Sequence, residues 1–269
     1  MQKTIISWTN VTWNPTFGCS VVSEGCRNCY AQTIALKFGQ SKKPWTGANA
    51  AENVQLKPHK LKEPYKLKEP SRVFVNSMSD LFHEQIPDSY IEDVFDVMND
   101  LPQHIFQVLT KRPERAAQWT YRWASHIWMG TSVEDRRAVH RIYTLRNCPA
   151  AVRFISAEPL LGPLGDVDLS GIHWLIVGGE SGVHMKPNNG RWMQQEWARD
   201  LKRQCVEQSV AYFYKQDSGQ RTEMRPYLVE ADGSRWQWMQ FPGDLRPPVN
   251  LDALDAEPVE HAPQQLTLF

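Results

Sequence analysis

The chain has 269 residues; 30 Lys and Arg balance 30 Asp and Glu, 41% of residues are apolar and 22% are charged. That composition excludes a chain disordered throughout, and zero net charge excludes a globally basic, histone-like binder while leaving a local basic groove open. No apolar run approaches the roughly 18 residues of a membrane span, and MQKTIISWTN has no long apolar signal region, so the reading is a cytoplasmic protein without a membrane partner.

Residues 12–17 read as a first strand leading into GCSVVSEGCRNCYA. Residues 40–70 read as a Lys- and Pro-rich insertion after the first helix, with LKEP at 61–64 and again at 67–70. The β-type run at 72–75 stops at Asn76-Ser77-Met78-Ser79-Asp80. Ile91, Val94, Phe95 and Met98 then recur at i, i+3, i+4 and i+7, one face of a helix. The run at 104–109 ends at Thr110-Lys111-Arg112-Pro113, and Pro113 suits the first turn of a helix. The run at 126–129 ends at Gly130-Thr131-Ser132, before a charged helix carrying Val139, Ile142 and Leu145. Runs at 152–155 and 173–177 end at Ser156-Ala157-Glu158-Pro159 and at Gly178-Gly179-Glu180-Ser181-Gly182. Met193, Trp197, Leu201 and Cys205 recur every four residues, as on a helix, and the run at 210–214 ends at Lys215-Gln216-Asp217.

This alternation predicts an α/β fold: a partial or full TIM-like (β/α) barrel of about six or seven parallel strands over residues 1–241, with a doubly wound open sheet as the alternative. The polar residues follow each run, at the carboxyl ends of the strands where parallel folds carry their sites. Residues 242–269, rich in Pro, Asp and Glu up to 263, read as a flexible tail.

Three of the five cysteines, Cys19, Cys26 and Cys29, share one polar, Gly-containing loop with spacing Cys-x6-Cys-x2-Cys. An odd count in a cytosolic-looking chain does not suggest a disulfide framework. Three thiolates can hold three irons of a [4Fe–4S] cube and leave the fourth open to a small molecule such as S-adenosylmethionine. A structural zinc site would need a fourth ligand; no second Cys-x2-Cys or paired His near the loop supplies it, and His59 could serve although nothing singles it out. Three unliganded thiols are the remaining alternative. Cys148, just before a strand, and Cys205, on an apolar helix face, read as structural.

GC-x5-GC-x2-CYA after a first strand resembles the cluster loop of radical SAM enzymes, especially the spore photoproduct lyase-like branch, as do the strand ends NSMSDLF and VLTKRP. More closely, SWTNVTWNPTFGC…GCRNCYA with SMSDLFHE, TKRPER, SVEDRR, ISAEPLLGP and VGGESG resembles a phage-associated family of uncharacterised three-cysteine proteins, over residues 5–220. The first cysteine gap is three residues longer than the usual radical SAM spacing, and Asn28 stands where an aromatic residue is usual. The resemblance implies a radical SAM-like barrel that binds a [4Fe–4S] cluster and S-adenosylmethionine. It implies that Ser77, Ser79 and Asp80 meet the methionine amino and carboxylate groups, although Ser and Asp are equally at home in caps and turns. Thr110, Lys111, Ser132 and Glu134 are further cofactor-binding candidates on the rim; Glu134 suits ribose hydroxyls or, alternatively, the first turn of a helix. Glu158, Glu180 and Lys215 are the catalytic candidates, and the glycines of GGESG would let backbone approach a ligand closely.

Trp236 and Trp238 could stack on bases, and Lys57, Lys60, Lys62, Lys66 and Lys68 could contact phosphates, although Glu63 and Glu69 dilute that cluster. The chain ends in Gln265-Leu266-Thr267-Leu268-Phe269, which resembles the peptide by which bacterial replication and repair proteins dock on the DNA sliding clamp. Apolar anchors, a register-setting Gln and a long tether suit that use. The functional expectation is a radical SAM enzyme acting on DNA or a nucleotide, in base repair or modification, with the clamp and a second protein as possible partners. The alternative is a zinc-stabilised, non-catalytic DNA-associated module.

Overall fold

The computed structural model describes residues 1–256 apart from positions 183, 187 and 189. The fold is α/β, built on one eight-stranded sheet: β1 (Gln2–Lys3), β2 (Val11–Trp13), β3 (Arg72–Val75), β4 (Ile105–Thr110), β5 (Ile127–Ser132), β6 (Arg153–Ala157), β7 (Trp174–Gly178) and β8 (Ala211–Gln216). The strands lie side by side in chain order. β1 is antiparallel to β2, and every later neighbour is parallel. Consecutive order has no reversal point, which removes the doubly wound alternative.

The central strands are nearly continuous apolar runs because both sheet faces are covered. The helix α1 (Tyr30–Lys37) buries Ala31 and Ala35 in a small separate cluster with Phe17 and Trp45, while on one sheet face Val75, Val108, Met129, Ile155, Val177 and Tyr214 share the main core with α2 (Asp88–Asn99), α3 (Pro113–Gln118), α4 (His140–Leu145) and α5 (Gln195–Glu207). The predicted stripe Ile91, Val94, Phe95 and Met98 is the fully buried face of α2, and Pro113 opens α3. Alternate strand residues point to the other face and form a second core of Trp8, Phe74, Trp128, Phe154, Trp174, Ile176, Ala211 and Phe213. Trp8 contacts both Phe74 on β3 and Trp174 on β7, at ring separations of 4.7 and 6.2 Å. Strands four places apart in a flat sheet would be about 19 Å from one another, so the sheet is strongly curled around these rings.

Curling does not complete a barrel. Among the described residues no pairing joins β1 to β8. The outer edge of β8 is instead met by residues 238–240 in the antiparallel sense: Tyr214 N–H donates to Trp238 O at 2.9 Å and Gln240 N–H to Tyr212 O at 3.1 Å. Both edges of the parallel sheet thus end against antiparallel segments, which leaves no long parallel edge unpaired. Among the described residues no helix is long and apolar enough to cross a membrane.

Three expectations shift. The first strand stops at Trp13; Thr16–Phe17 instead pairs antiparallel with Gln55–Leu56. The 40–70 insertion is therefore part of the fold, tied in further by Trp13 Nε1–H to Lys60 O at 2.8 Å and Lys57 N–H to Pro15 O at 2.8 Å. The flexible tail does not begin at 242: Val249–Asn250 joins a three-stranded antiparallel sheet with Leu228–Val229 and Arg235–Gln237, and the helix Leu251–Ala256 follows. Its polar composition misled because an ion pair, Arg235 Nε to Asp252 Oδ1 at 2.6 Å, and strand pairing fix it instead of apolar burial. The clamp-like peptide, with Gln265, Leu266, Leu268 and Phe269, lies outside the described residues.

Trp174 is the centre of the second core, touching Trp8, Trp128, Phe154, Phe213 and Phe241. Trp174→Ala is expected to cost about 3–5 kcal/mol in urea unfolding, because the rings around so large a cavity cannot all collapse into it.

Candidate functional site

The parallel register sets the strand ends level: Thr110 pairs with Thr131, Ser132 with Ser156, Ala157 with Val177 and Gly178 with Gln216. A cavity of ≈ 260 Å³ opens over these ends. Its lining includes Cys19, Cys26 and Cys29, together with Ser77, Ser79, Asp80, Thr110, Lys111, Ser132, Glu158, Glu180 and Lys215. Residues as far apart in the chain as Cys19 and Lys215 therefore meet on one rim. Glu134 stands just behind the lining, buried against Lys111.

Three anchors hold the cysteine loop, residues 19–29, onto this rim. At its start, the partly buried Arg112 donates from Nη2 to Ser20 Oγ at 2.9 Å and from Nη1 to Cys19 Sγ at 3.6 Å. The same guanidinium pairs with Asp80 at 3.2 Å and Glu84 at 3.1 Å. At the middle, Ser23 Oγ–H donates to Glu134 Oε1 at 2.8 Å; Glu134 also pairs with Lys111 at 3.0 Å and Arg141 at 3.1 Å. Gly25 lies so close that an added Cβ would fall 2.5 Å from Glu134 Cγ. At the far side, Asn28 Nδ2–H donates to Glu180 Oε2 at 3.1 Å, and Arg191 bridges Glu180 to Glu24. Asn28, the departure from the usual aromatic residue, is thus a tie to the end of β7.

These anchors bear on the sequence-level roles. Asp80 accepts from Phe82 N–H, Thr110 Oγ1–H, Lys111 N–H and Arg112 at 2.6–3.2 Å, so its carboxylate is fully engaged within the protein. Ser77 and Ser79 hydrogen bond to Asn14 and Thr16 across the ends of β2 and β3. Burial works upward on the Glu134 carboxyl, but Lys111 and Arg141 outweigh it and hold it below the ordinary carboxylate value. Glu180 is likewise pushed up by burial and held low by Arg191 and Asn28. The close backbone approach expected in GGESG is to the chain itself: a Cβ on Gly179 would lie 2.4 Å from Ser218 N. Glu158 and Lys215 differ from the rest. Lys215 Nζ lies 3.0 Å from Glu158 Oε1 without hydrogen-bond alignment, and Ser156 Oγ–H reaches Glu158 Oε2 at 3.2 Å. This pair keeps unspent donors and acceptors at the cavity wall.

Sequence reasoning passed over Arg112, Arg191, Ser23 and the fully buried His83. Arg112 stood in plain view in the TKRP strand end, whereas nothing near Arg191 signals its partners. His83 Nδ1 accepts from Gln85 N–H at 3.1 Å, so Nε2–H is the donor to Ser20 Oγ at 2.9 Å; burial and Arg112 hold the ring pKa below its usual value. Cys148 and Cys205 are buried in the main core, as expected of structural thiols. Trp238 packs edge-on to Tyr212 at 5.8 Å, so its ring belongs to packing.

The cavity thiols are unpaired with one another. Burial, with Asp80 beside it, pushes Cys19 up to about 12 against the pull of Arg112; burial likewise raises Cys29. Both thiols also feel Cys26, and Lys111 feels Cys26 in turn. Such thiols become thiolates when a metal supplies the compensating charge. Among the described residues no group of three or more His, Cys, Asp and Glu side chains is placed to hold a metal ion. A single zinc needs its ligands converging at about 2.0–2.3 Å, whereas thiolates on a cube each take a different iron and stand around a shared volume. Three thiols line one cavity here, with Arg112 and Lys111 nearby.

Fold and site together define a curled, mostly parallel α/β protein with a three-thiol cavity at its carboxyl rim. The family model described as "Protein of unknown function (DUF5131)" matches residues 3–242, and the chain belongs to that family. No curated protein and no solved structure matches it.

Two outcomes follow. Arg112→Met leaves Asp80 buried without its cation, with an expected loss of about 3–5 kcal/mol and faster amide exchange across residues 19–29; unchanged exchange there would remove the anchor. Glu134 and Glu180 have depressed pKa values, so their contribution is present above the ordinary carboxylate value of about 4.3 and lost as pH falls through the depressed ones. Denaturant melts in that acid range are expected to lose stability less steeply for Glu134→Gln than for wild type.

Proposed function

We propose that this chain is a radical SAM-type iron–sulfur enzyme, its curled sheet a partial barrel of that kind, acting on DNA or a nucleotide in base repair or modification. The observation that supports it most is the trio of partly buried thiols lining one cavity, with Arg112 and Lys111 beside them to offset thiolate charge. Cys19, Cys26 and Cys29 would hold a [4Fe–4S] cluster. When bound, such a cluster supplies the electron that cleaves S-adenosylmethionine into methionine and a 5′-deoxyadenosyl radical.

The chain's own residues divide the remaining work. Arg112, Glu134 and Arg191 keep the cysteine loop from moving. Glu158 and Lys215, with spare hydrogen-bonding capacity, orient the polar part of whatever enters. The rings of Trp8 and Phe74 line the same cavity and exclude water from it. A base of duplex DNA would have to leave the stack to reach this depth. The terminal Gln265, Leu266, Leu268 and Phe269 would recruit the protein to the sliding clamp.

Anaerobic reconstitution is expected to load about four iron and four sulfide per chain, with a visible band near 400 nm. 5′-Deoxyadenosine should then form from S-adenosylmethionine, and Cys29→Ala should abolish both. One zinc per chain and no colour would overturn this reading in favour of a non-catalytic DNA-associated module.

A further inference from the structure

We propose that the exposed face formed by the cysteine loop and α1 is the surface on which a DNA strand lies, across the cavity mouth. This deepens the reading above, which names DNA without naming the surface that holds it. Tyr30, Ile34 and Phe38 recur every four residues along α1 and its C-cap, and they are 50%, 39% and 68% exposed. Val21 and Val22 of the loop are exposed as well. Single apolar residues are exposed elsewhere, such as Tyr143, Val206 and Leu254, but here several stand together beside one cavity, and a contiguous apolar stripe of this kind marks a surface that something else covers. Val22 and Tyr30 also line the cavity, so stripe and mouth are continuous.

Charge identifies the occupant. Residues 21–43 carry Arg27, Lys37, Lys42 and Lys43 against the single acid Glu24, in a chain whose net charge is zero. Gln40 and Ser41 N–H donate to Ala35 O, and Trp45 N–H donates to Gln32 Oε1 at 2.6 Å, so residues 40–45 fold back along α1. Lys42 and Lys43 therefore flank the same helix as Lys37. Lys43 pairs with Glu52 and Arg27 with Glu24, while Lys37 and Lys42 form no ion pair among the described residues. Aromatic and aliphatic side chains interleaved with ammonium groups outside any such ion pair, Lys37 Nζ lying 5.7 Å from the Phe38 ring centroid, match the stacked bases and phosphates of a nucleic-acid strand. The other Lys-rich segment is a poorer match: Lys62 sits with Asp93 and Asp96 around a shallow depression, and Lys57 is hydrogen bonded to Gln55 over the Phe17 ring. A strand on α1 would carry a target base directly to the rim of the thiol cavity.

The test is anisotropy of a fluorescein-labelled single-stranded oligodeoxynucleotide, titrated with full-length protein across a KCl series. Iron content is measured on each preparation. Ile34→Ser with Phe38→Ser is expected to weaken binding about tenfold, the scale of one lost base stack. Lys37→Gln with Lys42→Gln should flatten the log Kd against log salt slope by about 1.4 units, or 0.7 per phosphate contact. Lys62→Gln with Lys66→Gln should leave affinity and slope unchanged. All six positions are exposed, so unchanged thermal melts are expected to certify the fold. Wild-type affinity and slope in both α1 variants, the same losses from the Lys62 and Lys66 pair, or a wild-type protein that does not bind the oligonucleotide would each overturn the surface. Loss of a protein partner from the α1 variants with DNA binding intact would overturn it too. Binding that follows these expectations in iron-free protein would support the surface while removing the radical chemistry; an iron-loaded protein indifferent to the α1 changes would do the reverse.

Discussion

Buried charge holds the cysteine loop in place. Residues 19–29 have little apolar content to bury, and in solution such a loop would sample many conformations. Here Arg112, Glu134 and Arg191 reach it from different strand ends, each through hydrogen bonds in surroundings where an unpaired partner would be costly. A loop held at its beginning, middle and end presents its thiols to one cavity. The curl of the sheet matters for the same reason. It brings the ends of β3, β4, β5 and β7 close enough for a single eleven-residue loop to touch all of them.

This arrangement separates two kinds of polar residue that look alike in the sequence. Asp80, Glu134 and Glu180 are spent on holding the loop and the strand ends; their oxygens are already met by Arg, Lys, Asn, Ser and Thr donors. Glu158 and Lys215 are not spent in this way. The distinction follows from counting hydrogen-bond partners: a carboxylate with every lone pair engaged has little left for a ligand, whereas a loosely aligned ion pair can exchange part of its interaction for a new one. The division of labour on the rim, with some groups positioning the loop and others facing the contents of the cavity, comes from this count.

Much of the scaffold was legible. Apolar runs at 72–75, 104–109, 126–129, 152–155, 173–177 and 210–214 each became a parallel strand, because burial on both faces demands continuous apolar sequence. Ile91, Val94, Phe95 and Met98 became the buried face of α2 through the 3.6-residue period. The insertion and the segment after 242 were harder to read. Lys, Pro, Asp and Glu suggested solvated chain, yet Trp13 binds the insertion through Lys60 O, and Arg235 pairs with Asp252 in the later segment. Polar contacts of that kind have no period, so a one-dimensional pattern does not reveal them.

The sequence by itself determined the alternation of strands and helices, the clustering of Cys19, Cys26 and Cys29 in one loop, and the polar residues at each strand end, because local burial and turn chemistry act between near neighbours. The tertiary structure decided that the sheet curls, with no pairing that closes it into a barrel among the described residues, and that Arg112, Lys111 and Arg191 stand against the loop. It also decided that Glu158 and Lys215 keep free capacity while Asp80 does not. Those outcomes depend on the packing of Trp8 between β3 and β7 and on partners up to 167 positions apart, such as Arg191 and Glu24. Coulombic and hydrogen-bond energies depend on distance in space, which the order of residues along the chain does not specify.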